Sequence, residues 1–292
     1  MHSILQVSPS RPPLRAADAF NAALARYRGE LHVYGYRLLG SFADAEAVVG
    51  ETLVRMQRER DYARERAALQ RRLYGIATEA ALDFLRANDR RTGSGASIAD
   101  MLWLQPYPDR LLDAVERALP DAAGIARSTI DLTFLGTLQL LTLRQRAVLV
   151  LRSIHGWSAA DTAATLGMTV TAVNSALQRA RAALRDRRNG GETLPDRTTD
   201  DERATVDRWI MLRREADSVR ANGIGEWVRV PTDANRQPAL ANYVRRGNAV
   251  EYTAHGLDVL RVARDRVVEV VSFPPRVFAW FELPAALPVR RR

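Results

Sequence analysis

The sequence predicts a multidomain chain: two all-α helical domains followed by a small α+β domain. Three observations support this fold class. Apolar residues recur at helical spacing through most of the first 188 residues. After DRRNGGETLPDRTTD the pattern changes to one helix and then to Val- and Tyr-rich runs typical of strands. The length of 292 residues, 47% of them hydrophobic, is enough for more than one core.

The first helical domain is predicted at residues 17–92, after a disordered tail at residues 1–16. Helical patterns span about residues 17–39, 43–60 and 67–88, and Gly40 separates the first two. In each of the last two helices, apolar residues form one stripe and charged residues lie on the opposite face. A small helical bundle is therefore expected.

A linker is predicted at residues 93–126, and it contains the stretch WLQPYPDRLLD. Trp103, Leu104 and Tyr107 would be costly to leave in water, so we expect them to dock on a neighbouring domain. A second linker is predicted at residues 189–200.

The second helical domain, at residues 127–188, ends in a pattern typical of a DNA-reading helix-turn-helix. Ser158 and Thr169 are placed to cap its two helices, and Gly167 to form the turn. An αα-hairpin with a solvated arginine face is the alternative. A small Ala163, Gly167 and a packed Val173 together favour the helix-turn-helix. The residues expected to face DNA are Thr169, Thr171, Asn174, Ser175, Gln178, Arg179, Arg181 and Arg185.

The α+β domain is predicted at residues 201–292. One helix is expected near residues 202–220, and the strands are EWVRV, PALANYVRR, VEYTAHGLDVLRV and RVVEVVSF. Arg264 and Asp265 lie in the predicted turn between the last two strands.

Charge points to a polyanionic partner. The formal net charge is +9, and all 43 of the Lys and Arg residues are arginine. Arginine makes bidentate contacts with phosphate and guanine, although a GC-rich genome would also explain the missing lysine.

Several classes of protein are disfavoured by what the sequence lacks. Without cysteine there is no disulfide, thiolate catalysis or Cys-ligated zinc. No apolar run approaches the roughly 20 residues of a membrane helix, and no signal-peptide core is evident, so a cytoplasmic protein is expected. The histidines are isolated from one another, so neither a metal site nor a catalytic residue is expected; they are His2, His32, His155 and His255.

Taken together, these motifs resemble those of an extracytoplasmic-function (ECF) sigma factor of bacterial RNA polymerase, in the subgroup with a SnoaL-like C-terminal extension. The family's second conserved region resembles ELHVYGYRLLGSFADAEAVVGETLVRMQR (30–58) and LYGIATEAALDFLR (73–86). The fourth resembles TFLGTLQLLTLRQRAVLVLRSIHGWSAADTAATLGMTVTAVNSALQRARAAL (133–184). The linker motif of the subgroup resembles WLQPYPDRLLD, and the end of its extension resembles ANRQPALANYVRRG with FELPAAL.

This resemblance implies a non-enzymatic protein without cofactors, which binds core RNA polymerase through its β and β′ subunits and directs initiation at promoters. The residues implied in polymerase binding are Asp44, Glu46, Glu51 and Leu53. Those facing the opened minus-10 element are Arg71, Arg72, Thr78, Glu79, Asp83 and Arg86. The helix from Thr169 to Arg185 would enter the major groove of the minus-35 element. The C-terminal domain is expected to contact the second and fourth regions and to modulate activity in cis.

The chain also departs from the family pattern. Arg72, Gly75 and Glu79 stand where the family usually has Trp, Arg and Asn, and the SnoaL-like extension is short. An alternative function is therefore a helix-turn-helix regulator that binds DNA but no longer directs initiation. An enzyme using a SnoaL-type pocket is a third and weaker alternative.

Overall fold

The computed structural model describes residues 14–59, 66–88, 103–118, 125–187, 198–219 and 225–289. The predicted tail before residue 14 and the linker residues 93–102, 119–124 and 189–197 lie outside these ranges. Among the described helices, none combines the length and the apolar character that a membrane crossing requires.

The three N-terminal helices are α1 (Leu14–Leu39), α2 (Phe42–Arg58) and α3 (Arg66–Ala87). Gly40 takes a φ of +70° between α1 and α2, and the Ser41 hydroxyl accepts a hydrogen bond from the Asp44 amide to cap α2. All three predicted helices are confirmed. The prediction of a disordered tail is wrong for residues 14–16, because these good helix formers extend α1.

The first linker contains a helix that the sequence analysis missed, α4 (Asp109–Ala118). Leu112 on α4 is completely buried. α4 packs against α1 at Gly29, where an added Cβ would lie 2.7 Å from Val115 Cγ2. Gly29 therefore permits the close approach of the two helices.

The helix-turn-helix segment consists of four α-helices after a short 3-10 turn at Arg127–Thr129. They are α5 (Leu132–Leu138), α6 (Leu143–Leu149), α7 (Ala159–Leu166) and α8 (Val170–Arg187), with a π-helical turn at Val150–Ile154 after α6. Thr142 forms a capping box with Gln145 at the start of α6.

The C-terminal part begins with α9 (Asp200–Val219), followed by an antiparallel sheet in the order β1-β2-β3-β4. Its strands are β1 (Glu226–Ala234), β2 (Gln237–Arg245), β3 (Glu251–Ala263) and β4 (Arg266–Phe273); β5 (Ala286–Pro288) pairs with β3 after a 3-10 helix at Pro275–Phe281. The four predicted strands are confirmed. Arg264 and Asp265 form the predicted turn with φ of 50° and 57°.

The two faces of the sheet are covered differently. On one face, Leu240, Leu260 and Val262 pack with Val206 of α9. Tyr243, Val259 and other residues of the opposite face belong to the same apolar cluster as Leu135 and Leu138 of α5. The sheet therefore has α9 on one side, and its other side shares a core with the helix-turn-helix segment.

The N-terminal helices and the helix-turn-helix segment also share a core. Leu143, Ala147, Val150 and Leu151 are buried in the cluster formed by α1, α2 and α3. The Arg146 guanidinium donates to the carbonyl of Leu38 in the last turn of α1. A buried cation thus caps a helix end across this contact.

Candidate functional site

The turn between α7 and α8 has the geometry of a helix-turn-helix. The Ser158 hydroxyl accepts from the Asp161 amide at 3.0 Å to cap α7, and the Thr169 hydroxyl accepts from the Ala172 amide at 3.1 Å to cap α8. Gly167 ends α7 with a φ of +60°, and its N–H bonds the Ala163 carbonyl. These predicted cap and turn positions are confirmed.

α8 presents a polar face to solvent. Thr169, Thr171, Asn174, Gln178 and Arg179 are exposed, whereas Ser175 is half-buried. Amides and a guanidinium on the first turns of an accessible helix suit hydrogen bonding to base edges.

Two further arginines follow on α8, and both are exposed. Arg181 donates to the Ser153 hydroxyl at 3.1 Å, so this guanidinium is anchored to the turn that follows α6. Cations at the end of such a helix suit phosphate contacts, which position a protein on DNA without specifying sequence.

Four of the six residues predicted to face the minus-10 element form an exposed stripe along α3: Arg72, Glu79, Asp83 and Arg86. Arg72 forms an ion pair with Glu59, the residue that follows α2. The Asp83 carboxylate accepts hydrogen bonds from Arg55 at 3.1 Å and from Arg86 at 3.3 Å. The stripe thus carries both signs of charge.

The other two residues of that prediction lie elsewhere. Thr78 is 4% exposed, because its hydroxyl bonds the Tyr74 carbonyl at 2.8 Å and accepts from the Tyr34 hydroxyl at 2.7 Å inside the core. This placement corrects the prediction that Thr78 faces DNA. Arg71 points to α7 instead, with its Nη1 3.5 Å from the Asp161 carboxylate.

The residues predicted to bind polymerase all lie on α2. Glu46 and Glu51 are exposed, Asp44 is in the first turn, and Leu53 is half-buried against the core. Glu46 forms an ion pair with Arg28 of α1, and Glu51 accepts from Arg55 at 2.7 Å. Surface ion pairs of this kind contribute little to stability, so these carboxylates are available to exchange partners.

The aromatic linker segment lies against α1. Leu104 and Tyr107 are buried and Trp103 is half-buried. The Tyr107 hydroxyl lies 3.0 Å from His32 Nδ1. Burial and the nearby Arg28 lower the pKa of His32 to about 4, so its imidazole is neutral at pH 7.

The turn between β1 and β2 contacts α1, the aromatic linker segment and the start of the helix-turn-helix segment. The sequence did not indicate this role. Asn235 and Arg236 occupy the turn with φ of 58° and 60°. The Asn235 side-chain oxygen accepts from the Tyr107 amide at 2.8 Å. Its Nδ2 donates to the Tyr36 hydroxyl and the Ile130 carbonyl, both at 2.8 Å. One side chain therefore bonds α1, the linker and the start of the helix-turn-helix segment.

Arg236, beside Asn235, is 1% exposed and lies among three carboxylates of α4. Its guanidinium is 2.5 Å from Asp113, 3.1 Å from Glu116 and 3.7 Å from Asp109. The Arg236 amide also donates to Asp109 at 2.8 Å. Burial nevertheless raises the pKa of Asp109 to about 6.

A second buried ion pair joins α9 to the helix-turn-helix segment. Arg127 is completely buried and its Nη1 donates to both carboxylate oxygens of Glu202, at 2.8 and 3.0 Å. Glu202 also accepts from the Thr199 amide at the start of α9. Breaking such a pair leaves a buried charge uncompensated, so this contact favours the arrangement described here.

In the described parts of the chain, no three His, Asp or Glu residues are grouped so as to hold a metal ion. His155 lies at the contact between α3 and the helix-turn-helix segment, whereas His255 is on β3 beside Trp227. His2 lies outside the described residues.

Comparisons with known proteins agree on one family. The family model described as Sigma-70, region 4 matches residues 132–184, which hold α5, α6 and α7 and most of α8. Two curated relatives, both named ECF RNA polymerase sigma factor SigG, come from Mycobacterium tuberculosis strains CDC 1551/Oshkosh and H37Rv. Each is 32% identical over 337 aligned positions, covering 98% of this chain and 90% of the relative.

The crystal structure of the Mycobacterium tuberculosis ECF sigma factor SigJ has a similar fold, with a TM-score of 0.54. It is 19% identical and covers 92% of this chain and 99% of that one. This match confirms the predicted fold class, with two helical parts and a SnoaL-like α+β part. Because the identity to SigG extends over nearly the whole length, the chain belongs to the ECF family of RNA polymerase sigma factors.

Proposed function

We propose that this protein binds core RNA polymerase in the cytoplasm and directs initiation at specific promoters, with its C-terminal part modulating that activity in cis. The DNA-binding part of this proposal rests on the geometry of α7 and α8. A left-handed Gly167 turn precedes a helix whose Asn174, Gln178 and Arg179 are exposed. We assign α8 to the minus-35 element, and assign the protein no catalytic role and no cofactor.

Polymerase binding is assigned to α2 and promoter opening to α3. Glu46 and Glu51 offer carboxylates at the surface of α2, suited to basic residues on the β and β′ subunits. The exposed stripe on α3 offers Arg72 and Arg86 to the backbone of the opened strand. Glu79 lies between them, and its negative charge would repel the phosphates of DNA. This feature favours the alternative function, a DNA-binding regulator that cannot initiate transcription.

Modulation by the C-terminal part is supported by the β1–β2 turn. Asn235 and Arg236 contribute buried hydrogen bonds and ion pairs to α1, α4 and the Ile130 carbonyl. Any motion of the N-terminal helices relative to the helix-turn-helix segment must break some of them. We infer that the turn biases the chain toward the arrangement described here.

The decisive experiment measures binding of the labelled full-length chain to actinobacterial core RNA polymerase by fluorescence anisotropy, with a known sigma factor as competitor. Saturable binding that the competitor displaces supports the proposal. No binding, with duplex DNA still bound, would favour the alternative regulator. Glu51→Arg should weaken polymerase binding several-fold through charge reversal, whereas Glu251→Arg, an exposed residue at the start of β3, serves as the matched control.

A further inference from the structure

A cavity of about 310 Å³ lies between α1 and α4, beside the start of α2. Its walls are mainly apolar, and Phe42, Leu111 and Val115 are half-buried around it. Two exposed alanines of α4, Ala114 and Ala118, border it on the solvent side. Ligand cavities in proteins have volumes of about 300–1,000 Å³ and are lined mostly by apolar and aromatic side chains. This cavity therefore has the size and the lining of a small-molecule site.

One wall of the cavity is aromatic. The Phe42 ring lies 4.6 Å from the His32 ring and 5.2 Å from the Tyr107 ring, and all three residues line the cavity. Trp280 of the C-terminal part stacks on Phe42 at 4.9 Å. Since Phe42 is held by rings from three parts of the chain, it offers a fixed surface to a planar aromatic molecule.

The same wall carries a buried polar atom without a partner. His32 is 5% exposed, and its Nε2 has no hydrogen-bond partner among the described residues. We assign the proton of the neutral ring to Nε2, because the Tyr107 hydroxyl donates to Nδ1 at 3.0 Å and the Glu46 carboxylate, 3.5 Å from Nε2, favours an N–H there. A buried donor without an acceptor is unfavourable, so a ligand that supplies one oxygen atom would be stabilised here.

The charges around the cavity favour a neutral ligand. The lining contains two arginines, Arg26 and Arg28, and two glutamates, Glu30 and Glu46, so the formal charges cancel. Arg28 is already paired with Glu46. An anion that accepted from His32 Nε2 would lie beside the Glu46 carboxylate and would be repelled by it. The accepting oxygen is therefore expected on an uncharged group.

We propose that this cavity binds a small neutral aromatic molecule that carries a carbonyl oxygen, with its ring against Phe42 and its oxygen accepting a hydrogen bond from His32 Nε2. The proposal does not rest on the proposed function, since it involves neither polymerase nor DNA. It gives a role to a buried imidazole that the surfaces assigned to polymerase and promoter do not use.

The test compares three probes by ligand-detected NMR titration of the full chain: acetophenone, isopropenylbenzene and benzoate. Isopropenylbenzene has the shape of acetophenone, with a methylene group in place of the carbonyl oxygen. Wild type should bind acetophenone about fivefold more tightly than isopropenylbenzene, as expected for one net hydrogen bond. Benzoate should bind more weakly than acetophenone because of its charge. The proposal would be overturned by no saturable binding of acetophenone, by equal affinity for the first two probes, or by tighter binding of benzoate.

Ala114→Trp tests the location of the bound probe. Ala114 is exposed on α4 and borders the cavity, so an indole there should occupy the cavity and abolish saturable binding of acetophenone. Ala204→Trp, at an exposed alanine of α9, is the matched control and should leave the affinity unchanged. If Ala114→Trp fails to fold, Ala25→Trp on the α1 side of the cavity is measured instead. Unchanged binding in the folded variant would place the probe elsewhere and overturn the proposal.

His32→Phe tests the hydrogen bond. It keeps a ring in the wall but removes the Nε2 donor, so the preference for acetophenone over isopropenylbenzene should disappear. The two affinities are compared within one variant, so a general loss of affinity does not obscure the result. His255→Phe, at an exposed position on β3, is the control and should keep the wild-type preference. A preference that persists in His32→Phe would show that His32 is not the donor and would overturn the proposal.

Discussion

Asn235 Nδ2 donates a 2.8 Å hydrogen bond to the Tyr36 hydroxyl, although the two residues are 199 positions apart in the sequence. Tyr36 is fully buried, and its own hydroxyl donates to the Gln105 carbonyl at 2.6 Å. The bond therefore connects the hairpin of the C-terminal sheet to α1 and, through Tyr36, to the aromatic linker.

The first prediction concerns this turn. Asn235→Gly keeps a residue suited to positive φ but leaves the Tyr107 amide and the Ile130 carbonyl without their partner. Each buried group left unpaired costs about 1–3 kcal/mol, so the free energy of unfolding should fall by about 3 kcal/mol. Urea denaturation measures it. Asp265→Gly, at the exposed β3–β4 turn with φ of 57°, is the control and should change stability by less than about 1 kcal/mol. Equal effects would contradict the role of the Asn235 side chain.

The second prediction concerns the Asp109 carboxyl beside Arg236. Its pKa is raised from 3.8 to about 6 by burial, so the folded state binds more protons than the unfolded state between these values. This group's contribution therefore makes stability fall as pH rises from about 4 to 6, by about 2 kcal/mol. Asp109→Asn should remove that part of the pH dependence.

Chemical denaturation at pH 4, 5, 6 and 7.5 compares the two proteins directly. Asp265→Asn, at an exposed turn, controls for loss of a carboxylate and should keep the wild-type profile. Parallel profiles for wild type and Asp109→Asn would show that the Asp109 carboxyl is not destabilised by burial.

The sequence predicted what is determined locally. The helix-turn-helix is specified by hydrogen bonds that Ser158, Gly167 and Thr169 make within a few residues of themselves. Their roles could therefore be predicted from the sequence. Asn235-Arg236 forms the same kind of turn as Arg264-Asp265, but only tertiary structure shows that the first is buried. Its partners are more than 100 positions away.

Thr78 illustrates a different difficulty. The periodicity of α3 correctly predicted one buried apolar stripe. It contained no signal that Tyr34 of α1 covers Thr78, because that contact joins residues 44 positions apart in the sequence. An exposed position could therefore not be distinguished from a covered one on that side.

The third prediction concerns acid stability. Burial and the nearby Arg37 lower the pKa of His155 from 6.5 to about 3, and the groups facing it are the Tyr74 hydroxyl at 3.5 Å and the Glu30 carboxylate at 3.9 Å. The unfolded state binds more protons between these values, so stability falls as pH drops below about 6.5. His155→Asn should lose about 2 kcal/mol less than wild type between pH 6.5 and 4.5.

Urea denaturation at the two pH values measures the difference, and His255→Asn at an exposed position on β3 is the control. An identical loss in wild type and His155→Asn would mean that other groups account for the acid sensitivity.

The fourth prediction separates base reading from phosphate binding on α8. Asn174→Ala with Gln178→Ala should weaken binding to the cognate minus-35 duplex by about 1–3 kcal/mol per lost base contact, and leave non-cognate duplex nearly unchanged. Arg185→Ala should weaken binding to both duplexes alike and reduce the salt dependence by about one unit of slope. Anisotropy titrations at several salt concentrations measure both effects. If the Asn174→Ala, Gln178→Ala variant loses the same affinity for both duplexes, Asn174 and Gln178 do not contact base edges.

The fifth prediction concerns Glu79 on the exposed stripe of α3. Its carboxylate faces solvent where the opened strand is proposed to lie, and a negative charge there repels the phosphates. Glu79→Asn, which restores the family's usual residue, should raise the amount of open complex about fivefold, equivalent to ~1 kcal/mol. Permanganate footprinting of holoenzyme on a mapped promoter measures it, and Asp207→Asn on the exposed side of α9 controls for the loss of one negative charge. If Glu79→Asn opens no more promoter than wild type while Asp207→Asn is also unchanged, the strand does not pass over this part of α3.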